Sequence, residues 1–362
     1  MNIPLNRPFL PSKKEFDIYT DDIFKRNWLT NHGPLVQQFE KSVGGFLGLE
    51  DFIFMNNGTT ALLIALKALE VSGEVITTPY SYVATTGSIL WQNCSPKFAD
   101  VDPKTLTVDP ELVEDAITDK TTAILATHVY GNPCDVESID RIAKRYKLKV
   151  IYDAAHCFGV TYKGESILKW GDASIISFHA TKLFHTIEGG GFFSNHNPLM
   201  QKARFMMNFG HDGLYDYNGV GINGKNSEFH AAMGLCNLPH ATQILEKRKM
   251  QVEQYKNELQ SGNVRFQAIR AGTRTNYSYF PVIFNSAKAS EMVEEHLGKS
   301  GVQTRRYFKP SLDKLNYINT PDQHTIASEI SEKVLCLPLF YDLTSKEISY
   351  VCKEIIEALE KQ

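Results

Sequence analysis

Lys149-Val150-Ile151-Tyr152-Asp153-Ala154-Ala155-His156 is a short apolar run that ends directly in a carboxylate. Ser174-Ile175-Ile176-Ser177-Phe178-His179-Ala180-Thr181-Lys182 is a second such run, ending in a hydroxyl and, a few residues later, a lysine. Outward from these two, the same texture recurs in Phe52 to Met55, Glu74 to Thr78, Lys97 to Ala99, Thr122 to Thr127 and Gly191 to Ser194, with helical patterns between them. Strands alternating with helices read as βαβ units around a mainly parallel sheet covered on both faces, so the expected class is α/β. In such sheets ligands sit beyond the carboxyl ends of the strands. Asp153, Ser177 and Lys182 all fall there.

Thr60 to Val71 is apolar almost all round, as a helix buried between layers should be. After about residue 240 the texture changes. A charged helical stretch, Leu245 to Leu259, precedes strand-like Tyr277 to Ile283, a helix near Ser290 to Leu297, and a last helix from Thr344. That helix opens with a capping box, Thr344 and Glu347, and places Ile348, Val351, Cys352, Ile355 and Leu359 on one face. The expected organisation is a large α/β domain, residues 1–240, and a smaller α+β domain, residues 241–362.

The bulk composition narrows the functional classes. With 362 residues, 43% hydrophobic, 22% charged and a net charge of -3, nothing pulls the chain globally toward nucleic acid or an anionic membrane, and a phosphate-bearing ligand needs a local site. The six cysteines form no CxxC pair and no zinc-like spacing, which fits free thiols in a reducing compartment. The first residues are interrupted by Pro4 and Pro8 and lack a signal-peptide core, and no apolar run reaches spanning length; a cytoplasmic location is expected.

A lysine at the strand-end rim can serve as a Schiff-base nucleophile if burial helps it lose its proton. Taken alone, Lys182 reads as a solvated loop lysine, as the great majority of lysines do. Asp153 can hold a heteroaromatic ring nitrogen in its protonated form, or simply cap a helix that follows the strand. Met55-Asn56-Asn57-Gly58-Thr59-Thr60 turns a strand end through glycine into the buried helix, where exposed amides and Thr hydroxyls make a cradle for one phosphate. No Walker lysine or GxGxxG follows, and a plain capped turn is the alternative. Tyr82, in Pro79-Tyr80-Ser81-Tyr82-Val83, can stack on a flat ring. His156 can hydrogen-bond a phenolate oxygen or fill the next helical turn. A basic amine, an acid and an anion cradle together suit pyridoxal 5'-phosphate (PLP).

In this order the segments resemble the DegT/DnrJ/EryC1/StrS family of PLP-dependent sugar aminotransferases. The resemblance starts at Trp28-Leu29-Thr30-Asn31-His32-Gly33-Pro34 and Phe39-Glu40. It runs through Gly58-Thr59, Asp153 to His156, Ser177 to Lys182, Glu188-Gly189-Gly190 and Gly221-Ile222-Asn223, and ends near Leu337-Pro338-Leu339-Phe340. It implies PLP-dependent transferase fold type I, like aspartate aminotransferase, with a seven-stranded sheet in the large domain. By the same resemblance Lys182 carries the cofactor and moves the proton, while Asp153 pairs with the pyridine nitrogen. Ser177 and the Gly58-Thr59-Thr60 backbone hold the phosphate, and Tyr82 covers the ring. His156 stands where the family usually has Gln. Asn223 aligns with an asparagine that reaches the phosphate of a neighbouring subunit, so a homodimer with shared active sites is implied.

The reaction implied has two halves. L-glutamate leaves as 2-oxoglutarate and converts PLP to pyridoxamine 5'-phosphate, which then aminates a nucleotide-linked keto-sugar. Trp28-Leu29-Thr30-Asn31 and His128-Val129-Tyr130-Gly131-Asn132-Pro133-Cys134-Asp135 point to a dTDP-4-keto-6-deoxyhexose, with dTDP-4-keto-6-deoxy-D-glucose aminated at C4 for a surface polysaccharide such as O-antigen. The alternatives are a 3-keto-sugar aminotransferase, a PLP-dependent sugar dehydratase and a non-catalytic PLP-binding regulator. The dehydratases carry His in place of the lysine; Lys182 opposes that reading, although His179 and His185 lie nearby. A regulator predicts basic DNA-binding clusters, and Lys247-Arg248-Lys249 reads instead as a solvated helix face.

Overall fold

A computed structural model describes residues 2–260, 263–318 and 325–361. The seven expected runs form strands β1 (Ile53–Met55), β2 (Glu74–Thr77), β3 (Ser95–Phe98), β4 (Thr121–Thr127), β5 (Lys149–Asp153), β6 (Ala173–Ser177) and β7 (Gly190–Phe193). They make one sheet in the order β1-β7-β6-β5-β4-β2-β3. β3, β2, β4, β5 and β6 are parallel, and β7 runs antiparallel to both β6 and β1. The carboxyl ends of β1, β2, β4, β5 and β6 therefore share one rim.

Side chains alternate between two buried layers, as the two-residue period of a strand requires. Val150, Tyr152 and Ile176 pack into one, and Ile151, Ile175 and Phe192 into the other. Helix Gly58–Ala68 covers the second layer with Ala61, Leu62, Ile64, Ala65 and Leu66. Gly190 is forced by close approach: a Cβ there would overlap the Asn57–Gly58 backbone. This is why the Glu188-Gly189-Gly190-Gly191 stretch can run directly beneath the start of that helix.

A second, antiparallel sheet, β8 (Val264–Phe266), β9 (Pro281–Phe284) and β10 (Val334–Cys336), has the order β8-β9-β10 and its own buried cluster. Helix Ala241–Glu258 joins the two bodies. Its start, Ala241 and Ile244, is buried against the large sheet, and Val252 and Tyr255 against the small one. Ile3, near the beginning of the chain, is also buried in the second cluster and bridges to Val302.

Three local expectations need correction. Residues 277–280 are not strand; regular pairing begins at Pro281. The last helix, Ser345–Glu360, has the expected capping box, but Ala358 rather than Leu359 completes its fully buried face. Arg248 is no solvated charge. It is 4% exposed and donates to the carbonyls of Tyr277 (2.9 Å), Ser278 (2.8 Å) and Leu339 (3.0 Å). A guanidinium with its donors satisfied by carbonyls can be buried without a carboxylate partner, and burial lowers its pKa to about 10. Among the described residues no helix is long and apolar enough to cross a membrane.

Candidate functional site

The shared strand rim and the second sheet's connections enclose a cavity of about 460 Å³. Gly58, Thr59, Tyr82, Asp153, His156, Ser177 and Lys182 all line it. These residues are far apart in the chain. Each follows, or ends, a strand of the same sheet.

Asp153 closes β5 and is 5% exposed. Thr85 Oγ1 donates to its Oδ2 at 2.7 Å and the Ala155 amide to its Oδ1 at 3.1 Å. Ser81 Oγ lies 2.7 Å from Thr85 Oγ1 and 3.0 Å from Thr127 Oγ1. A hydroxyl has one proton to give. With Thr85 spent on the carboxylate, Ser81 donates to Thr85 and Thr127 to Ser81, a relay that ends on Asp153. Burial raises the Asp153 pKa, and the bonds from Thr85 and Ala155 and the charge of Lys182 oppose the rise. No helix follows the strand here, so capping does not account for this acid.

Lys182 lies beyond β6, half-buried, with Nζ 3.3 Å from Tyr279 Oη and 5.6 Å from the centre of that ring. Burial lowers its pKa, and Asp153, Tyr307 and Tyr82 pull the other way without reversing the shift. The neutral amine is the reactive form. Competitive acetylation of the cofactor-free protein, read by mass spectrometry across pH, is therefore expected to give Lys182 a titration midpoint below that of exposed lysines. A midpoint equal to theirs would contradict this environment.

His156 accepts the Tyr130 amide on Nδ1 at 3.1 Å and stacks parallel to Phe308, ring centres 5.9 Å apart. Burial, then Lys182, hold its pKa well below the histidine range. A neutral ring whose Nδ1 is an acceptor carries its proton on Nε2. It fills no helical turn.

At the cradle, Asn57 caps helix Gly58–Ala68 by accepting the Thr60 amide at 2.7 Å. The Thr60 N–H is thus spent, and Thr60 does not line the cavity. The Gly58 and Thr59 amides find no acceptor among the described residues, and Ser177 Oγ accepts only the His179 amide, at 3.4 Å. Asn223 is likewise outside this chain's cavity. It is exposed, its Oδ1 accepting from Lys225 Nζ at 2.9 Å.

Other features of the neighbourhood sort themselves by contact. Tyr80 is structural, its hydroxyl 2.8 Å from that of Tyr130 and 2.9 Å from the Tyr307 carbonyl. His185 is buried and holds the Phe9 carbonyl at 2.7 Å. His179 lines the cavity, paired with Glu188 at 3.4 Å. Sequence reasoning missed Tyr279, Arg305, Tyr307 and Phe308, which bring the second body's wall to the cavity, and the hydroxyls of Ser81, Thr85 and Thr127. The cluster Arg305-Arg306-Tyr307-Phe308 was the available signal for the first group. Nothing in the local sequence marks the second.

The chain matches the DegT/DnrJ/EryC1/StrS aminotransferase family over residues 12–356. It is 42% identical over 359 residues to a dTDP-4-amino-4,6-dideoxy-D-glucose transaminase of Shigella dysenteriae, and 38% identical over 363 residues to one of Escherichia coli; each alignment covers 98% of both chains. Among solved structures, DesI, determined in the presence of its TDP-sugar product, superimposes with a TM-score of 0.94 at 30% identity, covering 99% of this chain and 93% of that one. The mainly parallel seven-stranded sheet is that of fold type I. A match across nearly the whole length, on a scaffold that gathers an acid, an amine and free amides at one rim, establishes that the chain belongs to the DegT/DnrJ/EryC1/StrS aminotransferase family.

Proposed function

We propose that this chain is a PLP-dependent transaminase that takes an amino group from L-glutamate and delivers it to C4 of dTDP-4-keto-6-deoxy-D-glucose. The observation that carries this reading is the shared cavity of Asp153, Ser177, Lys182 and the Gly58 and Thr59 amides. The donor set fits PLP: amides without acceptors and a hydroxyl suit a phosphate, a buried acid suits a ring nitrogen, and a partly desolvated amine suits an aldehyde. Bound PLP supplies the electron sink for amino transfer.

In this reading each side chain has a task. Asp153, held by Thr85 and Ala155, keeps the ring nitrogen protonated. His156 donates Nε2–H to the phenolate oxygen, the same kind of contact a Gln amide would make. Tyr82 covers the ring face, and Lys182, placed by Tyr279, moves the proton in both half-reactions. Gly58, Thr59 and Ser177 hold the phosphate; Thr60 contributes only by completing the cap.

Asn223 serves the phosphate of a second copy in a homodimer. Its exposure supports this, as does the apolar stretch beside it, where Leu214, Tyr215, Tyr217 and Val220 are 75%, 83%, 64% and 77% exposed. Apolar side chains clustered in the open mark an interaction surface. The second sheet's separate buried cluster supports a division at residues 240/241, with Ile3 crossing to the smaller domain. The choice of a dTDP-sugar and of C4 is supported by the two transaminases at 42% and 38% identity. A cytoplasmic site of action suits a nucleotide-sugar enzyme.

The test is a mass-spectrometric assay of the protein with PLP and L-glutamate against dTDP-, UDP- and GDP-keto-sugars, with NMR of the product. The expected result is a yellow protein, one equivalent of 2-oxoglutarate per amine formed, and nitrogen at C4 of the dTDP-sugar. Nitrogen at C3, or loss of a hydroxyl without nitrogen, selects the 3-aminotransferase or the dehydratase instead. A colourless protein indifferent to PLP rejects the enzyme.

A further inference from the structure

Each of the cavity's two carboxylates has a neighbour other than the cavity's arginine or lysine. Asp153 is held by Thr85 and Ala155, and the half-exposed Glu188 has His179 Nε2 3.4 Å away. The cavity's strong cations differ: neither Lys182 nor Arg305 has a carboxylate within ion-pair distance among the described residues. Lys182 is accounted for by its place in the proposed chemistry. Arg305 is not.

The contrast with its neighbour is informative. Arg306 is almost buried and spent on structure: Nε meets Glu294 at 2.8 Å, and a terminal nitrogen meets the Glu332 carbonyl at 2.9 Å. Arg305 is fixed only at its backbone, which exchanges hydrogen bonds with Cys336 at the edge of β10. Its guanidinium packs beside the Tyr307 ring, 5.1 Å from the centre. Tyr307 lies edge-on to Tyr279, ring centres 5.1 Å apart, and Tyr279 reaches Lys182. Two aromatic rings thus separate the guanidinium from the reacting amine. Arg305 is itself exposed, so its guanidinium lies on the cavity's solvent side. A planar fork of donors against an aromatic face, with no side-chain acceptor among the described residues, can receive an oxyanion bidentately.

We propose that Arg305 is a specificity-determining anion clamp that grips an oxyanion carried by the substrate at a point remote from the reacting carbon. This rests on the transaminase reading for the identity of the substrates. Both proposed substrates have such a group: the side-chain carboxylate of the amino donor and the diphosphate of the nucleotide sugar. In a two-half reaction they visit the same cavity in turn, so one cation can serve either or both. The Tyr307 ring is the aromatic face beside that guanidinium.

The experiment measures the Kd of 2-oxoglutarate and of dTDP by calorimetry with the full-length protein as purified, for wild type, Arg305→Gln, Arg305→Lys and Arg306→Gln. Losing a charge-assisted hydrogen-bond pair is expected to weaken binding by about tenfold to a hundredfold. A rise for 2-oxoglutarate alone assigns the clamp to the donor, a rise for dTDP alone assigns it to the diphosphate, and a rise for both makes it common. Arg305→Lys should recover part of the loss, since it restores the charge without the fork. Arg306→Gln should lower the melting temperature and leave both Kd values in place. Both Kd values unchanged in Arg305→Gln overturn the proposal, as does a wild type that binds neither ligand. Failure of the transaminase reading shows separately, as a protein without a PLP colour.

Discussion

Replacing Lys182 by alanine is expected to stop both halves of amino transfer. The proton that moves between substrate carbon and cofactor needs a base within reach, and proton transfer by a positioned side chain is worth about 10²–10⁴-fold on its own. Within the cavity Lys182 is the cavity's one lysine, and burial already shifts it toward the neutral form that can accept a proton. The neighbouring His179 spends Nδ1 on Thr181 and turns Nε2 toward Glu188, and His156 spends Nδ1 on a backbone amide, so neither is positioned to substitute. Single-turnover mixing with L-glutamate, and separately with the amino-sugar product run in reverse, reads the two halves independently. Borohydride should fix cofactor mass on the wild-type lysine and nothing on the variant. Turnover at the wild-type rate in either half would remove Lys182 from its role.

Asp153→Asn should be nearly as damaging, for an electrostatic reason. The substitution keeps the shape but removes the charge that, in the proposed site, would hold a ring nitrogen protonated. An amide also cannot accept from Thr85 and from the Ala155 N–H at once, because one of its ends is a donor. Removing one partner of a buried charge pair costs about 3–5 kcal/mol, which corresponds to a rate loss of about 10²–10⁴-fold. Stability should move differently. Burial raises the Asp153 pKa in the folded, cofactor-free protein, so this group's contribution is fully present below the unfolded carboxylate pKa and is lost as pH rises through the folded value. Cofactor-free Asp153→Asn should lack that dependence. Thermal melts of both proteins from acid to neutral pH, alongside steady-state rates, measure the two effects together. Wild-type activity in the variant, or parallel melting curves with pH, would contradict the role given to the carboxylate.

The parallel sheet was legible because its central strands, β4, β5 and β6, are buried on both faces and so appear as apolar runs, whereas the edge strand β3, Ser95–Phe98, is not buried. The same logic exposed Asp153, Ser177 and Lys182, since polar groups directly after such runs lie on the sheet's rim. Thr60 was read less well. Its place in a Gly-Thr-Thr cradle is plain, but which amide is free depends on the Asn57 cap, a contact made only once the helix forms. Arg248 was misread because a basic triplet on a helix looks solvated unless one knows that three carbonyls from distant segments converge on its middle member.

What the amino-acid order determined by itself is the class of fold, the rim on which the cavity opens, and the residues that line that cavity from the large sheet's side. Periodicity and strand ends are local properties, carried by neighbours in the chain. Only the tertiary structure decided the opposite wall: that Tyr279, Arg305, Tyr307 and Phe308 close the cavity, and that Thr127, Ser81 and Thr85 feed a chain of hydroxyls into Asp153. Apart from Ser81–Thr85, four residues apart, these are contacts between segments tens to hundreds of residues apart. Their geometry is set by how the second sheet packs against the first, through a shared cluster that joins Tyr80 and Tyr130 to Ile283, Phe308 and Val334, and no local pattern encodes it.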